Sequence, residues 1–303
     1  MKSCLKYIIK RLIPGPILKR LVKALTHLKI SRARRIFEKA PENPEWLELP
    51  MLKTLQKKYP HPKEYGYEPK TMEVRGKSRA ERILFLLSKI EQNSTTFLEL
   101  GCFDGMVSYA LKLMWKNTTA IDINSDYFEN VALDAGVEFR QMDAAHLRFE
   151  DESFDCVFSF NAFEHFKNPE LVLREAIRVV RTGGCIYLDF GPLYMSPTGL
   201  HAYRSITVPY CQILFPMDAL ERFVKDNGLR AIHKEELNGY LLENYREIWE
   251  KYSYILKKIF YEERVDISHL DLILKYPSCF KSKSKNFDNF IVSSIEVLFR
   301  KTV

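Results

Sequence analysis

The sequence predicts an α/β fold with a doubly wound parallel sheet, and three observations predict it. Five short apolar runs alternate with helix-patterned segments between residues 97 and 190. The first run ends in a turn with a glycine at each end, Gly101 and Gly105. Acidic residues, Asp122 and Asp143, end the next two runs. Strands that alternate with helices pair in parallel, and the helices then cover both faces of the sheet.

The glycine turn at 101–105 connects the first strand, residues 97–100, to a helix with apolar residues at helical spacing from Met106 to Met114. Glycine is expected here because a Cβ atom would block the close approach of a ligand and because such turns often need positive φ. The start of the following helix offers unpaired N–H groups to polar ligand atoms. This construction is typical of a site for a nucleotide-like ligand.

The next elements follow at regular distances. The second strand, 119–124, contains Asp122, 21 positions after Gly101. In a doubly wound fold a carboxylate at this position binds both hydroxyls of a ribose. The remaining predicted elements are a third strand at 137–145, a fourth at 153–161, a helix that begins at 168–169 and ends at 183–184, and a fifth strand at 185–190.

Beyond residue 190 we predict a helix at 217–227, a sixth strand at 229–237 and a seventh at 290–300. A helical insert at about 238–287 would separate the last two strands. Its apolar stripe, residues 241–260, has helical spacing. Three interpretations of this stripe remain open, namely core packing, the surface of a homodimer, or a lid over an acceptor pocket.

The chain resembles the class I S-adenosylmethionine-dependent methyltransferases, closest to their small-molecule group, the methyltransferase-11-like domains. The motifs that carry the resemblance are the glycine turn at 98–105, the segments at 121–123 and 142–144, the fourth strand with its following loop at 154–166, and the helix and turn at 170–184. The resemblance covers roughly residues 75–235 and 287–303. It implies a Rossmann-like sheet of seven strands whose last strand is antiparallel.

The resemblance also implies S-adenosylmethionine as the cofactor, and its methionine end is assigned by position. Glu99 and the turn backbone resemble the family's site for this end, and Asn161 stands where a backbone carbonyl meets the ammonium group. The family usually has glycine in the middle of the turn, so we expect the side chain of Phe103 to point away from the ligand or to narrow the site. The residues assigned to the methionine end are Glu99, Gly101, Cys102, Phe103, Gly105 and Asn161.

The nucleoside end is assigned in the same way. Asp122 resembles the ribose ligand, and Ile123 resembles the residue that packs against the adenine. Asp143 and the amide of Ala144 resemble the contacts at the edge of the adenine ring. The alternative for Glu99 is a strand-end acid that caps the next helix, and the alternative for Asp122 and Asp143 is a purely structural role in a loop or at a strand end.

The acceptor loop is expected after the fifth strand, at 191–204. It resembles a subgroup with a Ser-Pro-x-Gly-x-His segment, in which a later stretch often carries a second histidine where this chain has Gln212. His201 is the best candidate for a catalytic base because imidazole titrates near neutrality. His165, after the fourth strand, is the second candidate. The alternatives are a histidine hydrogen-bonded for structure and a histidine packed against the cofactor.

These assignments predict a methyltransferase for a small-molecule or a glycan- or lipid-linked acceptor, with an oxygen as the acceptor atom. The rival from another class is an inactive methyltransferase fold that serves as a binding scaffold. A nicotinamide site is disfavoured because the G-x-G-x-x-G pattern would need glycine at Phe103 and Met106. Nucleic-acid methylation is disfavoured because no D/N-P-P-Y/F segment or Pro-Cys motif occurs.

Composition adds two expectations. The six cysteines show no C-x-x-C spacing, so we predict no metal site and a reducing compartment, the cytoplasm. The charge is concentrated in residues 1–39, which contain 12 Lys/Arg and one acid, whereas residues 40–303 contain 34 Lys/Arg and 38 acids. The protein is therefore predicted to be a mildly acidic core with a basic arm.

The basic arm has apolar residues at helical spacing, interrupted at Pro14-Gly15-Pro16. A basic amphipathic arm fits an anionic membrane surface. Packing on the core, nucleic-acid binding and targeting are the alternatives. We predict two parts, namely residues 1–74, the arm with an irregular Pro-rich linker, and residues 75–303, the methyltransferase domain. No stretch of the sequence is apolar for long enough to predict a membrane span.

Overall fold

A computed structural model describes residues 15–61, 66–233 and 237–303. Its centre is one seven-stranded sheet with the strand order β3-β2-β1-β4-β5-β7-β6. Strands β1 to β5 are parallel, and β7 is antiparallel to both of its neighbours. The strands are β1 (Thr96–Leu100), β2 (Asn117–Asp122), β3 (Glu138–Gln141), β4 (Phe154–Phe160), β5 (Val180–Phe190), β6 (Leu256–Val265) and β7 (Val292–Lys301).

Helices cover both faces of this sheet and form a second layer beside it. Their hydrophobic side chains build one core on each face of the sheet and a further core among the helices outside it. The helices are α1 (Gly15–Lys39), α2 (Leu49–Lys58), α3 (Pro69–Ser88), α4 (Met106–Leu113), α5 (Asn130–Asp134), α6 (Pro169–Val179), α7 (Cys211–Leu214), α8 (Met217–Asp226), α9 (Leu242–Lys251), α10 (Leu270–Lys275), α11 (Pro277–Lys281) and α12 (Asp288–Ile291).

The predicted fold class is confirmed. Strands β1 to β5, helices α4, α6 and α8, and strand β7 lie close to their predicted positions. Helix α6 begins as expected, with Asn168 accepting a hydrogen bond from the Leu171 amide and Pro169 in the first turn. Its predicted end was wrong, because the helix ends at Val179 and the chain enters β5 directly, so that residues 183–184 lie inside the strand.

The predicted sixth strand at 229–237 was wrong. The described residues of this segment contain no strand, and the sixth strand is Leu256–Val265. A strand needs a partner, and β7 is paired with β5 on one edge and with β6 on the other. The helical segment between the last two strands therefore spans residues 266–291 rather than about 238–287.

The apolar stripe at 241–260 is divided between a helix and a strand. Helix α9 ends at Lys251, and the chain turns and continues as β6, which contains the aromatic and β-branched residues that favour strands. The apolar face of α9 packs in the core of this chain, with Tyr245 and Trp249 each 1% exposed. The apolar face of α9 is therefore used inside this chain, which favours core packing among the three interpretations of the stripe.

The basic arm enters the described structure as one helix, α1, from Gly15 onwards; its residues before 15 lie outside the described residues. The second half of α1 packs on the helical layer through Ala33 and Phe37, which are 1% and 0% exposed. Arg34 also pairs with Asp288 at 2.6 Å. The segment after it is less irregular than predicted, because α2 and the start of α3 lie within residues 40–74.

None of the helices in the described ranges combines the length and the hydropathy needed to cross a bilayer.

Candidate functional site

The candidate site lies at the carboxyl edge of the parallel strands. Strands β1, β2, β4 and β5 run in the same direction, so their last residues meet at one edge. The chain winds outward from β1 in one direction and from β4 in the other. Open α/β sheets bind ligands in the crevice at such a switch point.

The glycine turn takes the conformation that the sequence predicts. Gly101 and Gly105 have φ of +68° and +70°. The amides of Gly101 and Cys102 both donate to the carbonyl of Ile121, at 2.9 and 3.0 Å, which joins the turn to the end of β2. The Cys102 side chain is 4% exposed and packs inside. The turn is thus a rigid loop between β1 and α4.

Phe103 occupies the middle of this turn with φ of +48°. Its amide donates to Asp122 Oδ2 at 2.9 Å, so the residue positions the predicted ribose ligand through its backbone. Its ring stacks on Tyr127 with the centroids 4.7 Å apart and lies 6.0 Å from the ring of Tyr67. Phe103 therefore belongs to an aromatic group at the rim of the turn.

Asp122 and Ile123 lie together at the end of β2. Besides Phe103, the Asn124 amide donates to Asp122 Oδ1 at 3.1 Å. Two donors leave further acceptor capacity on an ionised carboxylate. Ile123 is 72% exposed, although it directly follows a buried strand. An acceptor carboxylate beside a bare apolar side chain suits a ribose with an attached planar base.

Asp143 and Ala144 follow β3 on the same edge. Asp143 accepts a hydrogen bond from the Ala145 amide at 2.9 Å and lies 3.2 Å from His146 Nδ1. The Asp143 side chain is exposed, whereas the methyl group of Ala144 is buried. The Asp143 carboxylate therefore makes hydrogen bonds within its own loop while its side chain stays exposed to solvent.

Glu99 has a different environment from the other predicted acids. It is 2% exposed, and its Oε2 accepts from the amide and the hydroxyl of Ser108, at 3.1 and 2.6 Å. The carboxylate thus caps the first turn of α4. Burial raises the pKa of Glu99 to about 8, against the opposing effect of the Ser108 hydrogen bonds. In this structure its contacts are structural.

Asn161 follows β4 with φ of +48°, and its amide donates to the carbonyl of Asp189 at 2.8 Å. The left-handed conformation turns the chain sharply at the strand end and exposes the residue. Arg79 of α3 approaches the same place, with its guanidinium carbon 5.0 Å from the centroid of Phe160. Arg79 adds a cation that the sequence patterns did not indicate.

Both predicted histidines meet at this edge. The His165 and His201 rings contact edge to face, with centroids 5.0 Å apart. Glu164 joins them, since one ligand-type atom from each of the three residues lies within 4.8 Å of the others. Glu164 was missed because an acid in a loop has no distinctive pattern; its place next to His165 was the only signal. We call Glu164, His165 and His201 the carboxylate–histidine cluster.

The environment of His201 keeps its ring neutral. Burial and the neighbouring His165 lower its pKa to about 4, although a hydrogen bond to the Pro192 carbonyl opposes this. Burial likewise raises the pKa of Glu164. Leaving a buried polar atom without a partner costs about 1–3 kcal/mol. Among the described residues, neither Glu164 Oε2 nor His201 Nε2 has a hydrogen-bond partner.

Gln212 stabilises the loop that carries His201. Its Nε2 donates to the carbonyls of Tyr194 and Ser196, at 2.6 and 3.0 Å. Gln212 is 5% exposed, so the residue that replaces the expected second histidine is a structural tie of the loop.

A cavity of about 260 Å³ adjoins the same loop. Leu200 and Ala202, the two neighbours of His201, line it. The rest of its wall comes from three segments, and it combines apolar and aromatic side chains, such as Ile206 and Val208, with polar ones, such as Thr207 and His269. The volume and the lining fit the apolar part of a small molecule.

Comparison with known proteins identifies a methyltransferase domain at residues 98–188. A 27-O-demethylrifamycin SV methyltransferase of Amycolatopsis mediterranei is 26% identical over 51% of this chain and 61% of its own length. A fatty-acid O-methyltransferase of Mycolicibacterium smegmatis is 36% identical over 33% of this chain and 39% of its own length. A ubiquinone biosynthesis O-methyltransferase of Xanthomonas axonopodis is 23% identical over 54% and 74%. The chain thus matches less than two thirds of the length of the first two relatives.

The residues of the edge fit the cofactor of this family. Asp122 retains acceptor capacity beside the exposed Ile123. The ring of Phe103 stacks on Tyr127 and does not fill the space at the turn backbone. Asn161 follows β4 with a positive φ, and the guanidinium carbon of Arg79 lies 5.0 Å from the ring centroid of the preceding residue, Phe160. S-adenosylmethionine supplies an activated methyl group when bound. The sheet order, the glycine turn and the matched domain together show that residues 98–188 of this chain form a methyltransferase domain with the class I S-adenosylmethionine-dependent fold.

Proposed function

We propose that the protein transfers the methyl group of S-adenosylmethionine to a hydroxyl oxygen of a small, largely apolar acceptor. The observation that carries the proposal is the position of the carboxylate–histidine cluster at the carboxyl ends of β4 and β5, next to a largely apolar cavity. The names of the relatives support an oxygen acceptor, since two of them are O-methyltransferases. A glycan- or lipid-linked hydroxyl remains within this proposal.

Different residues of this chain would bind the cofactor and position the acceptor. Asp122 would hold the ribose, Ile123 would cover the base, and Asn161 with the turn backbone would fix the methionine end. His165 and His201 would face the acceptor oxygen. Placing the oxygen in line with the methyl carbon supplies most of the catalysis that a protein can give to such a displacement.

The test is methyl transfer from isotope-labelled S-adenosylmethionine to the small molecules of a cell extract, read by mass spectrometry. We expect one or a few labelled products from the intact protein. In calorimetry, Asp122→Ala should weaken cofactor binding by roughly 1.5–3 kcal/mol, because it removes charge-assisted hydrogen bonds. Asp126→Ala removes an exposed acid of the following loop and should leave binding unchanged.

Wild-type protein that does not bind S-adenosylmethionine would contradict the proposal and favour the inactive scaffold. Binding without any labelled product would also favour the scaffold.

We further propose that α1 attaches the protein to an anionic membrane surface. Its first 14 residues carry apolar side chains that the core does not cover, with Leu25 and Leu28 being 58% and 64% exposed. Exposed lysines and arginines, such as Arg20 and Lys23, accompany them. An amphipathic basic helix of this kind lies flat in a membrane interface. Both this surface and a cytoplasmic location are proposals; the five cysteines in the described ranges are free thiols, which suits a reducing compartment.

We expect the full chain to float with vesicles of phosphatidylglycerol and not with vesicles of phosphatidylcholine. Replacing Leu25 and Leu28 together by serine should reduce this binding at least about tenfold, because it removes apolar area that the helix would bury in the membrane. Deletion of the whole arm is less informative, since Ala33 and Phe37 belong to the core. Replacing Thr26 by serine serves as the matched control on the same helix. Equal flotation of wild type and the double variant would contradict the membrane role.

A further inference from the structure

The carboxylate–histidine cluster has the composition of a metal site, although no sequence pattern predicted one. Glu164 and His165 come from the loop after β4, and His201 comes from the loop after β5. One ligand-type atom of each lies within 4.8 Å of the other two. Two elements of a rigid sheet edge thus hold a carboxylate and two imidazoles around one point.

Two atoms of this cluster are buried without a partner. Glu164 is 3% exposed; its Oε1 accepts from the Gly191 amide at 3.1 Å, whereas Oε2 accepts from no donor in the described part of the chain. His201 Nε2 is also buried and has no hydrogen-bond partner among the described residues. These atoms are lone-pair donors, and buried polar atoms are usually satisfied. The cluster therefore lacks an electron-pair acceptor.

The other side of the His201 ring is already held. The carbonyl of Pro192 accepts a hydrogen bond from this ring. In the tautomer of the neutral ring that has its proton on Nδ1, the lone pair lies on Nε2, the buried atom without a partner in the described residues. A histidine that binds a metal characteristically donates its second ring N–H to a backbone carbonyl or a carboxylate.

We propose that Glu164, His165 and His201 bind a divalent transition-metal ion, and that this ion holds the acceptor's hydroxyl oxygen during methyl transfer. Two imidazoles and one carboxylate are donors that suit Zn²⁺, Co²⁺ or Fe²⁺. Three protein ligands leave a coordination position open for a substrate oxygen. The role in catalysis rests on the proposed function, whereas the binding site itself does not.

The reaction balances without a redox partner. The hydroxyl binds the cation through its oxygen, which lowers the pKa of the hydroxyl, and the proton passes to solvent. An oxygen lone pair forms the new O–C bond to the methyl carbon as the C–S bond breaks. The electron pair of that bond stays on sulfur, which changes from a cationic sulfonium to a neutral thioether. The products are the methyl ether, the thioether and one proton.

This role for His201 differs from that of the base suggested by the sequence. As a ligand, His201 would present Nε2, its buried ring nitrogen without a partner in the described part of the chain, to the cation instead of taking the hydroxyl proton. Without a metal, a buried water or a proton shared between Glu164 and His201 would satisfy the two unpartnered atoms. The metal titration distinguishes both of these cases from a bound ion.

The first measurement is metal binding by the full chain without S-adenosylmethionine. Protein treated with a chelator is titrated with Co²⁺, followed by visible absorption, and with Zn²⁺, followed by calorimetry. We expect one ion per chain. Glu164→Gln and His201→Gln keep the side-chain shapes and should each weaken binding at least about tenfold. His27→Gln, an exposed histidine on α1, should leave it unchanged.

The second measurement is methyl transfer by the same chelator-treated protein with the extract's small molecules. We expect at least about a tenfold loss that added Zn²⁺ or Co²⁺ restores, with unchanged affinity for S-adenosylmethionine. Full transfer without metal, or Co²⁺ binding that neither variant weakens, would overturn the metal proposal and leave the proposed function standing. Cluster-dependent metal binding with no methyl transfer would keep the metal site and overturn the proposed function. Circular dichroism verifies that both variants fold.

Discussion

Replacing Trp249 by alanine should lower the free energy of unfolding by about 3–5 kcal/mol, the usual cost of removing a large buried aromatic side chain. Trp249 is 1% exposed, and its ring packs against Phe163 at 5.8 Å and Phe299 at 5.3 Å between centroids. It thus joins α9 to strand β7 and to the loop that leads into the carboxylate–histidine cluster. Denaturation in urea measures the change.

The matched control is Glu247→Ala, an exposed residue on the opposite face of the same helix, which should change stability by less than about 0.5 kcal/mol. The contrast tests the position of α9 in the core. A small effect of Trp249→Ala, comparable with that of the control, would contradict this packing. It would return the helix to the alternatives of a lid or a dimer surface.

Replacing Gly105 by alanine should destabilise the protein by about 2–5 kcal/mol. The positive φ of +70° costs an alanine about 1–2 kcal/mol. The new Cβ would also lie 2.2 Å from a ring carbon of Phe128, which must move, at about 1–3 kcal/mol for overpacking. Because Gly105 is the N-cap residue that directly precedes α4, the turn should lose its shape and S-adenosylmethionine binding should fall with it.

Gly228→Ala separates the two causes. Gly228 has a similar φ of +62°, but a Cβ there would have no atom within 4 Å. It should cost only about 1–2 kcal/mol and leave cofactor binding unchanged. Equal destabilisation by the two substitutions would show that the contact with Phe128 is unimportant and would contradict the described turn.

The parallel part of the fold was predictable because its signals are local. The glycines of the turn, the apolar runs and the cap at Asn168 each restrict a few residues, and the acids fall at strand ends through the regular length of the β/α units. Strand β6 was not predictable in this way. Whether residues 256–265 or 229–237 form the edge strand depends on which segment pairs with β7, and this is decided by contacts distant in sequence.

The candidate site was predictable only as separate residues. His165 and His201 were named from their loops, but their contact depends on backbone conformations that sequence patterns do not reveal. Asn161 and His201 both adopt positive φ, which is uncommon for residues other than glycine. Glu99 was assigned to the cofactor by resemblance, whereas its hydrogen bonds to Ser108 depend on how α4 starts.

The most direct test of the account is a crystal structure of the protein with S-adenosylhomocysteine. We expect both ribose hydroxyls within hydrogen-bond distance of Asp122, the adenine against Ile123, and the sulfur facing the carboxylate–histidine cluster. A nucleoside bound away from Asp122, or a sulfur that faces away from Glu164, His165 and His201, would contradict it.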